Sequence, residues 1–331
     1  MKRRSLDLPV PDRDLEEALV AGLDEVEREL ARSVRSSSPF IDEAAGYLVH
    51  AGGKRFRPLL VLLAAQFGDP GRPEVVKAAV SVELTHLATL YHDDVMDEAP
   101  LRRGAVSANE RWGNSVAILT GDFLFARTSA ILADLGPEAV RIQAETFERL
   151  CLGQILETVG PENGLDPVKH HLQVLADKTG SLIAASCRYG SLMSGADAQS
   201  IETLAAFGES IGVAFQLADD IVDIASDTAQ SGKTPGTDLR EGVPTLAALI
   251  ALGGQAQADA RLRDLLSRPL PDDSEHAEAL ALLRAHAALE EARQEAKRWA
   301  GEARSLLAPL PQIPARQALE LLCDAVVSRT G

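Results

Sequence analysis

The sequence predicts an all-α protein, and three observations lead there. Ala and Leu are abundant while aromatic residues make up only 4% of the chain, which favours packed helices over sheets. Apolar residues recur at three- and four-residue spacing over long segments. Gly- and Pro-containing breaks, with no strand-like alternation, separate those segments. With 331 residues and 46% hydrophobic content the chain can bury a large core, read as one helical domain over 1–331 with a flexible lead at about 1–11.

The first helix is expected from about Asp12 to Arg35, with Leu15, Leu19, Leu23, Val26 and Leu30 on one side. After the Ser36-Ser37-Ser38-Pro39 break a short helix runs to a turn at Gly52-Gly53. Lys54-Arg55-Phe56-Arg57-Pro58 follows, with Pro58 in the first turn of a helix carrying Leu59 to Phe67. Beyond the turn at Asp69-Pro70-Gly71, a helix covers Pro73 to Glu98. Further helices are expected at 114–134, 137–158 and 167–193, with breaks at Asn163-Gly164 and Ser194-Gly195. A long helix from about Ala198 passes through Asp223 to a loop at 231–238. The last third is helical, broken at 268–273 and between Pro309 and Pro314.

The net charge of −16 argues against a nucleic-acid partner, which calls for a basic surface. Cys151, Cys187 and Cys323 are far apart and lie in apolar helical contexts, so they read as reduced core residues of a cytoplasmic protein. Met1-Lys2-Arg3-Arg4 is basic, yet no apolar stretch of a secretory signal follows. No apolar run is read as reaching the roughly 18 residues of a membrane span.

The chemistry concentrates in two acidic clusters. Asp93, Asp94 and Asp97 follow an apolar helical run, and His86, Thr89, Asp93 and Asp97 fall on one stripe. Like charges at i,i+4 oppose a helix, so the cluster calls for a cation. Asp219, Asp220 and Asp223 repeat the pattern on a later helix. One such motif alone suits a solvated helix face; two, each on an apolar helix and followed by basic residues, suit a carboxylate-rich mouth. Mg²⁺ is held by a few carboxylates plus substrate phosphates, so a Mg²⁺-bridged diphosphate is the natural ligand. Lys54, Arg57, Arg102, Arg103, Lys178 and Lys233 lie at expected helix ends beside Gly, Pro or Thr, where Arg suits diphosphate oxygens.

In order along about 40–250, Gly52-Gly53-Lys54-Arg55-Phe56-Arg57-Pro58, Asp93 to Asp97 with Arg102-Arg103-Gly104, Lys178-Thr179-Gly180, and Phe215-Gln216 through Asp223 to Gly232-Lys233 resemble the trans-isoprenyl diphosphate (polyprenyl) synthase family. The resemblance implies a single large helical bundle of the isoprenoid synthase type with a central cavity. It implies a homodimer that joins isopentenyl diphosphate to an allylic diphosphate. Lys54, Arg57, His86 and Arg103 would then hold isopentenyl diphosphate. Asp93, Asp97 and Asp219 would ligate Mg²⁺, three ions in all with Mn²⁺ as an alternative, supported by Asp94 and Asp223, and Asp220 would be catalytic with them. Arg102, Lys178 and Lys233 would hold the allylic diphosphate, while Thr179 and Gln216 direct oxygens toward the allylic cation. Val243 stands where many relatives carry a Lys, which removes one cation.

Product length is expected from the residues about one turn below Asp93. Ala88 and Thr89 are small, as is Thr85 a turn further down, so the floor would admit products longer than geranylgeranyl. Helix packing is the competing reason for their size. Gly121-Asp122 and Gly153-Gln154 are read as bracing helix contacts, His92 as a packing residue, Tyr91 as core or dimer interface, and His170-His171 as an exposed helix start. A terpene cyclase would need a different second metal motif and has no use for Lys54, Arg57 and Arg103. A non-catalytic partner subunit would be expected to lack some of the aspartates.

Overall fold

Asp12 begins the first helix by accepting the Leu15 amide at 2.8 Å, and α1 (Arg13–Ser33) buries Leu15, Leu19, Leu23, Val26 and Leu30 along one face. The computed structural model describes residue 6 and residues 8–162, 164–225 and 235–330. Part of the lead expected to be flexible, Asn163, and the part of the expected loop that contains Lys233 lie outside these described residues; Leu8, within that lead, is buried. Then come α2 (Pro39–His50), α3 (Phe56–Ala64) and α4 (Pro73–Met96), with Pro at the start of α2 and α4 where its missing N–H costs nothing. A two-residue hairpin, β1 (Leu101–Arg102) with β2 (Ala105–Val106), pairs Arg102 with Ala105. It was too short to leave an alternating pattern.

The chain continues through α5 (Ala108–Trp112), α6 (Asn114–Leu135), α7 (Pro137–Val159) and α8 (Pro167–Leu175). The helix expected over 167–193 is interrupted by a π-helical turn at Ala176–Gly180 before α9 (Ser181–Met193). The long α10 is Ala198–Ala225. The remainder comprises α11 (Thr237–Glu241), α12 (Leu246–Gly253), α13 (Ala260–Leu266), α14 (Asp273–Ala285), α15 (Ala287–Leu306) and α16 (Pro314–Ser328).

Packing divides these elements into two compact units. The first takes Met1–Phe147, Leu182–Gly208 and Pro309–Leu319; the second takes Glu148–Ser181, Glu209–Ala308 and Glu320–Gly331. In the first, Leu19, Leu23, Leu48, Leu60, Leu84, Leu87 and Tyr91 are fully buried. Tyr91 donates to Ala44 O at 2.6 Å, which makes it a core residue of α4. In the second, Val213, Leu217 and Ile221 of α10 pack in one cluster with Leu246, Leu265, Leu283 and Leu289.

Three expectations need correction. Helix α6 is, by length and composition, long and apolar enough to cross a membrane. Its inward face (Ala117, Gly121, Leu124, Thr128 and Leu132) is buried, while Ile118 and Leu119 are exposed. His171 is buried rather than exposed, because α8 turns it inward to within 3.8 Å of Asp220. Cys151 is exposed on α7, whereas Cys187 and Cys323 are buried as expected.

Candidate active site

In the first unit, α4 carries His86, Asp93 and Asp94, and Asp97 caps its C-terminus by donating its amide to Asp93 O at 2.8 Å. Asp94 is fully buried. Burial pushes its carboxyl above the usual range, the bond from Arg102 Nε pulls it back, and Asp97 raises it further. Its second oxygen, Oδ2, is buried with no hydrogen-bond partner. Arg102 Nη2 also lies 4.0 Å from Asp97. The hairpin thus returns Arg102 to the aspartates eight and five residues behind it.

Arg103 goes the other way. At φ 53°, followed by Gly104 at φ 77°, it forms a turn with two left-handed residues, the geometry of tight hairpins. Its guanidinium donates to Leu48 O at 3.1 Å and to Gly52 O, and stands 3.9 Å from Glu83. Gly53 lacks a side chain where a Cβ would sit 3.0 Å from Arg103 Nη1. Arg57, on α3, has a buried Nε without a partner, and burial lowers its pKa. His86 is driven well below its ordinary pKa, first by burial and then by Arg57, Arg103, Arg102 and Arg55, so its ring is neutral near pH 7. Lys54 is exposed beside this group.

Sequence reasoning missed the residue that holds the group together. Arg55 is buried, donating to Glu27 at 2.9 and 3.1 Å, to Glu83 at 2.8 Å and to Val49 O at 2.8 Å. The available signal was Glu83, a carboxylate inside an apolar run and one turn before His86.

The residues of the expected floor have packing roles. Ala88 is fully buried, and its carbonyl lies 3.1 Å from where a Cβ on Gly121 would stand. Thr85 donates to Ser81 O at 2.9 Å and accepts from Gln143 at 3.0 Å; Thr89, partly buried, donates to His86 O at 2.8 Å. His92 Nε2 meets Ile118 O at 3.1 Å and its ring tilts against Phe125, which fits the packing role expected for it.

In the second unit, α10 and the π turn meet. Thr179 Oγ1 donates to Gln216 Oε1 at 3.3 Å, and Gln216 Nε2 donates to Asp220 Oδ1 at 3.0 Å. Burial, then the nearby acids Asp238, Asp219 and Asp223, push the Asp220 carboxyl up to about 8 despite the bond from Gln216. Arg329 Nη2 pairs with Asp219 Oδ1 at 2.9 Å, and Asp223 Oδ2 accepts the Asp238 amide at 3.3 Å. Lys178 is ion-paired with Glu157. π turns recur at functional sites because they widen a helix locally and expose a residue. Val243 is exposed. Lys233 lies outside the described residues.

Among the described residues no three His, Cys, Asp or Glu groups already form a closed metal cage. Mg²⁺ is bound by one or two carboxylates together with substrate phosphates, so an open set of carboxylates that includes an orphaned Asp94 oxygen fits that ion.

The family model described as polyprenyl synthetase matches residues 38–283. The chain is 49% identical over 315 residues to a nonaprenyl diphosphate synthase of Mycobacterium tuberculosis, covering 95% of this chain and 94% of that protein. A dimethylallyltranstransferase of the same organism is 43% identical over 287 residues, covering 86% and 87%. The crystal structure of a geranylgeranyl pyrophosphate synthase from Corynebacterium glutamicum, complexed with calcium and isoprenyl diphosphate, superposes with TM-score 0.89 at 43% identity, covering 98% of this chain and all of that one.

Proposed function

The chain belongs to the polyprenyl synthetase family, and on that premise we propose that it condenses isopentenyl diphosphate head-to-tail onto an allylic diphosphate to give a trans-polyprenyl diphosphate longer than geranylgeranyl. One observation carries the reading: a neutral His86 set among Arg57, Arg102 and Arg103, on the helix that also carries a buried Asp94 bonded by Arg102. Four cationic or donor groups converging beside acidic residues suit a phosphorylated anion delivered with a metal ion.

In this reading Lys54, Arg57, His86 and Arg103 hold isopentenyl diphosphate. Arg102, Lys178 and Lys233 hold the allylic diphosphate. Asp93, Asp97 and Asp219 are the Mg²⁺ ligands, with Asp94, Asp220 and Asp223 supporting them. Bound Mg²⁺ would offset the charge that builds on the departing diphosphate. The allylic C–O bond breaks, a C–C bond forms to the isopentenyl double bond, and one proton leaves to the released diphosphate. Thr179 and Gln216 present oxygens to the electron-poor carbon, and the neutral His86 donates a hydrogen bond without adding a third charge beside Arg57 and Arg103. The C. glutamicum relative, crystallised with calcium and isoprenyl diphosphate, supports the pairing of metal and substrate.

The relative named nonaprenyl diphosphate synthase and the small Thr85, Ala88 and Thr89 support a long product. A second reading, a stop at geranylgeranyl, draws on the packing of Ala88 against α6 and the Thr85–Gln143 bond, which explain the small residues without a tunnel. Purified protein incubated with farnesyl diphosphate, excess isopentenyl diphosphate and Mg²⁺ decides between them by mass spectrometry. A ladder passing well beyond geranylgeranyl upholds the long-chain reading. A stop there keeps the reaction and moves the floor to another helix, and no product at all returns the chain to a partner-subunit role. Assembly as a homodimer belongs to the same proposal, since exposed Ile118 and Leu119 give α6 an apolar face to cover. Asp122 and Arg127 in the middle of that helix make a membrane span costly.

A further inference from the structure

Helix α7 presents Arg149, Gly153 and Glu157 at four-residue spacing, hence on one face. That face lies against the π turn. Arg149 Nε donates to Asp177 Oδ1 at 2.7 Å and its Nη2 reaches Ala176 O at 3.3 Å. The same guanidinium holds Glu209 of α10 with two bonds, at 3.0 and 2.9 Å. Asp177 is buried, and its other oxygen accepts from Gln173 at 2.7 Å. One turn along α7, a Cβ on Gly153 would stand 2.7 Å from the Lys178 amide nitrogen, so helix and turn touch backbone to backbone. One turn further, Glu157 takes the Lys178 ammonium.

The partners of Arg149 are selective. They are the residues directly before Lys178 and a residue of α10 two turns before Gln216, which itself accepts from Thr179 at 3.3 Å. Exposed ion pairs contribute little, but a forked guanidinium bridging a buried carboxylate and a second, doubly bonded one fixes geometry as well as charge. A π turn has no regular i,i+4 ladder to define its shape, so external bonds must define it.

We infer that Arg149 is a positioning residue: it sets the π turn so that Lys178 and Thr179 meet the allylic diphosphate. This rests on the role given to Lys178 above. Steady-state kinetics with farnesyl and isopentenyl diphosphates test it on wild type, Arg149→Met, Arg149→Lys, Lys178→Met and the Arg149→Met/Lys178→Met double variant. Arg149→Met is expected to raise the KM for farnesyl diphosphate about tenfold, the worth of one well-made charged hydrogen bond. The KM for isopentenyl diphosphate should stay within about twofold, and in the Lys178→Met background the second change should add less than about twofold, since the two act through one contact. Arg149→Lys keeps the charge but loses the fork, and should give a smaller rise in the same constant; it also serves if Arg149→Met does not fold. Equal rises in both KM values, additive losses in the double variant, or an unchanged farnesyl KM beside an impaired Lys178→Met would each overturn the inference. An unaltered farnesyl KM in Lys178→Met would instead overturn the role of Lys178, and the inference with it.

Discussion

Arg55 brings a full charge into a buried position and adopts a left-handed backbone at φ 51°, where a side chain other than glycine is strained. Glu27 and Glu83 together with Val49 O satisfy its donors. Arg55→Met should therefore destabilise the protein by about 3–5 kcal/mol in denaturant unfolding, because Glu83 would remain buried without its partner. A loss under about 1 kcal/mol would show that Arg103, at 3.9 Å, takes over the pairing. His86 gives a second expectation. Its folded pKa lies below 6.5, so the unfolded chain takes up the proton first as pH falls. Its contribution to stability is whole above about pH 6.5 and is lost as pH drops toward the folded value. His171, lowered to about 4 by burial, acts in the same sense, while Asp220, raised to about 8, acts in the opposite one. The comparison of His86→Gln with wild type isolates one group: the variant should lose less stability between about pH 7 and pH 5. Parallel curves would count against a neutral imidazole.

At the scale of elements, α4 and α6 approach so closely that a Cβ on Gly121 would meet His92 Nε2 at 2.3 Å and Ala88 O at 3.1 Å. Gly121→Val should lower stability by about 1–3 kcal/mol, read as a reduced Tm, as overpacked sites generally do. An unchanged Tm would mean that His92 swings clear at no cost. The helices themselves were legible because they rest on local signals. The leucine stripe of α1 and its Asp12 cap follow from spacing and a single side chain. The hairpin was not legible, since two-residue strands have no period to detect. The π turn was also hidden: nothing in Ala176–Gly180 breaks the apolar repeat, and the wider turn is held by Arg149 from another helix. His171 and Cys151 were misread for a similar reason, because apolar context does not say which face of a helix a distant element covers.

For the whole molecule, the exposed apolar residues are the informative departure from a closed core. Ile118 and Leu119 of α6 in the first unit, and Leu152, Ile155 and Val159 of α7 in the second, remain exposed among the described residues. If copies of the chain cover them, Leu119→Glu should shift sedimentation toward the monomer and leave helical circular dichroism intact. A wild-type protein that sediments as a monomer at micromolar concentration would end that expectation. The family of the chain was legible at this scale because charged clusters in apolar settings stand out in sequence. The framework behind them was not, because Glu27, Glu83, Arg149 and Glu209 each find partners far along the chain.

The two-residue hairpin has a mechanical consequence. Arg102 grips Asp94 while its neighbour Arg103 grips Leu48 O and Gly52 O, so one short loop spans both groups like the beam of a balance. A cation at the aspartates competes with Arg102 for Asp94, and any shift of the hairpin that follows reaches Arg103 within one residue. If that shift occurs, linkage requires an anion seated on Arg103 to change the cation's affinity at the aspartates by the same factor.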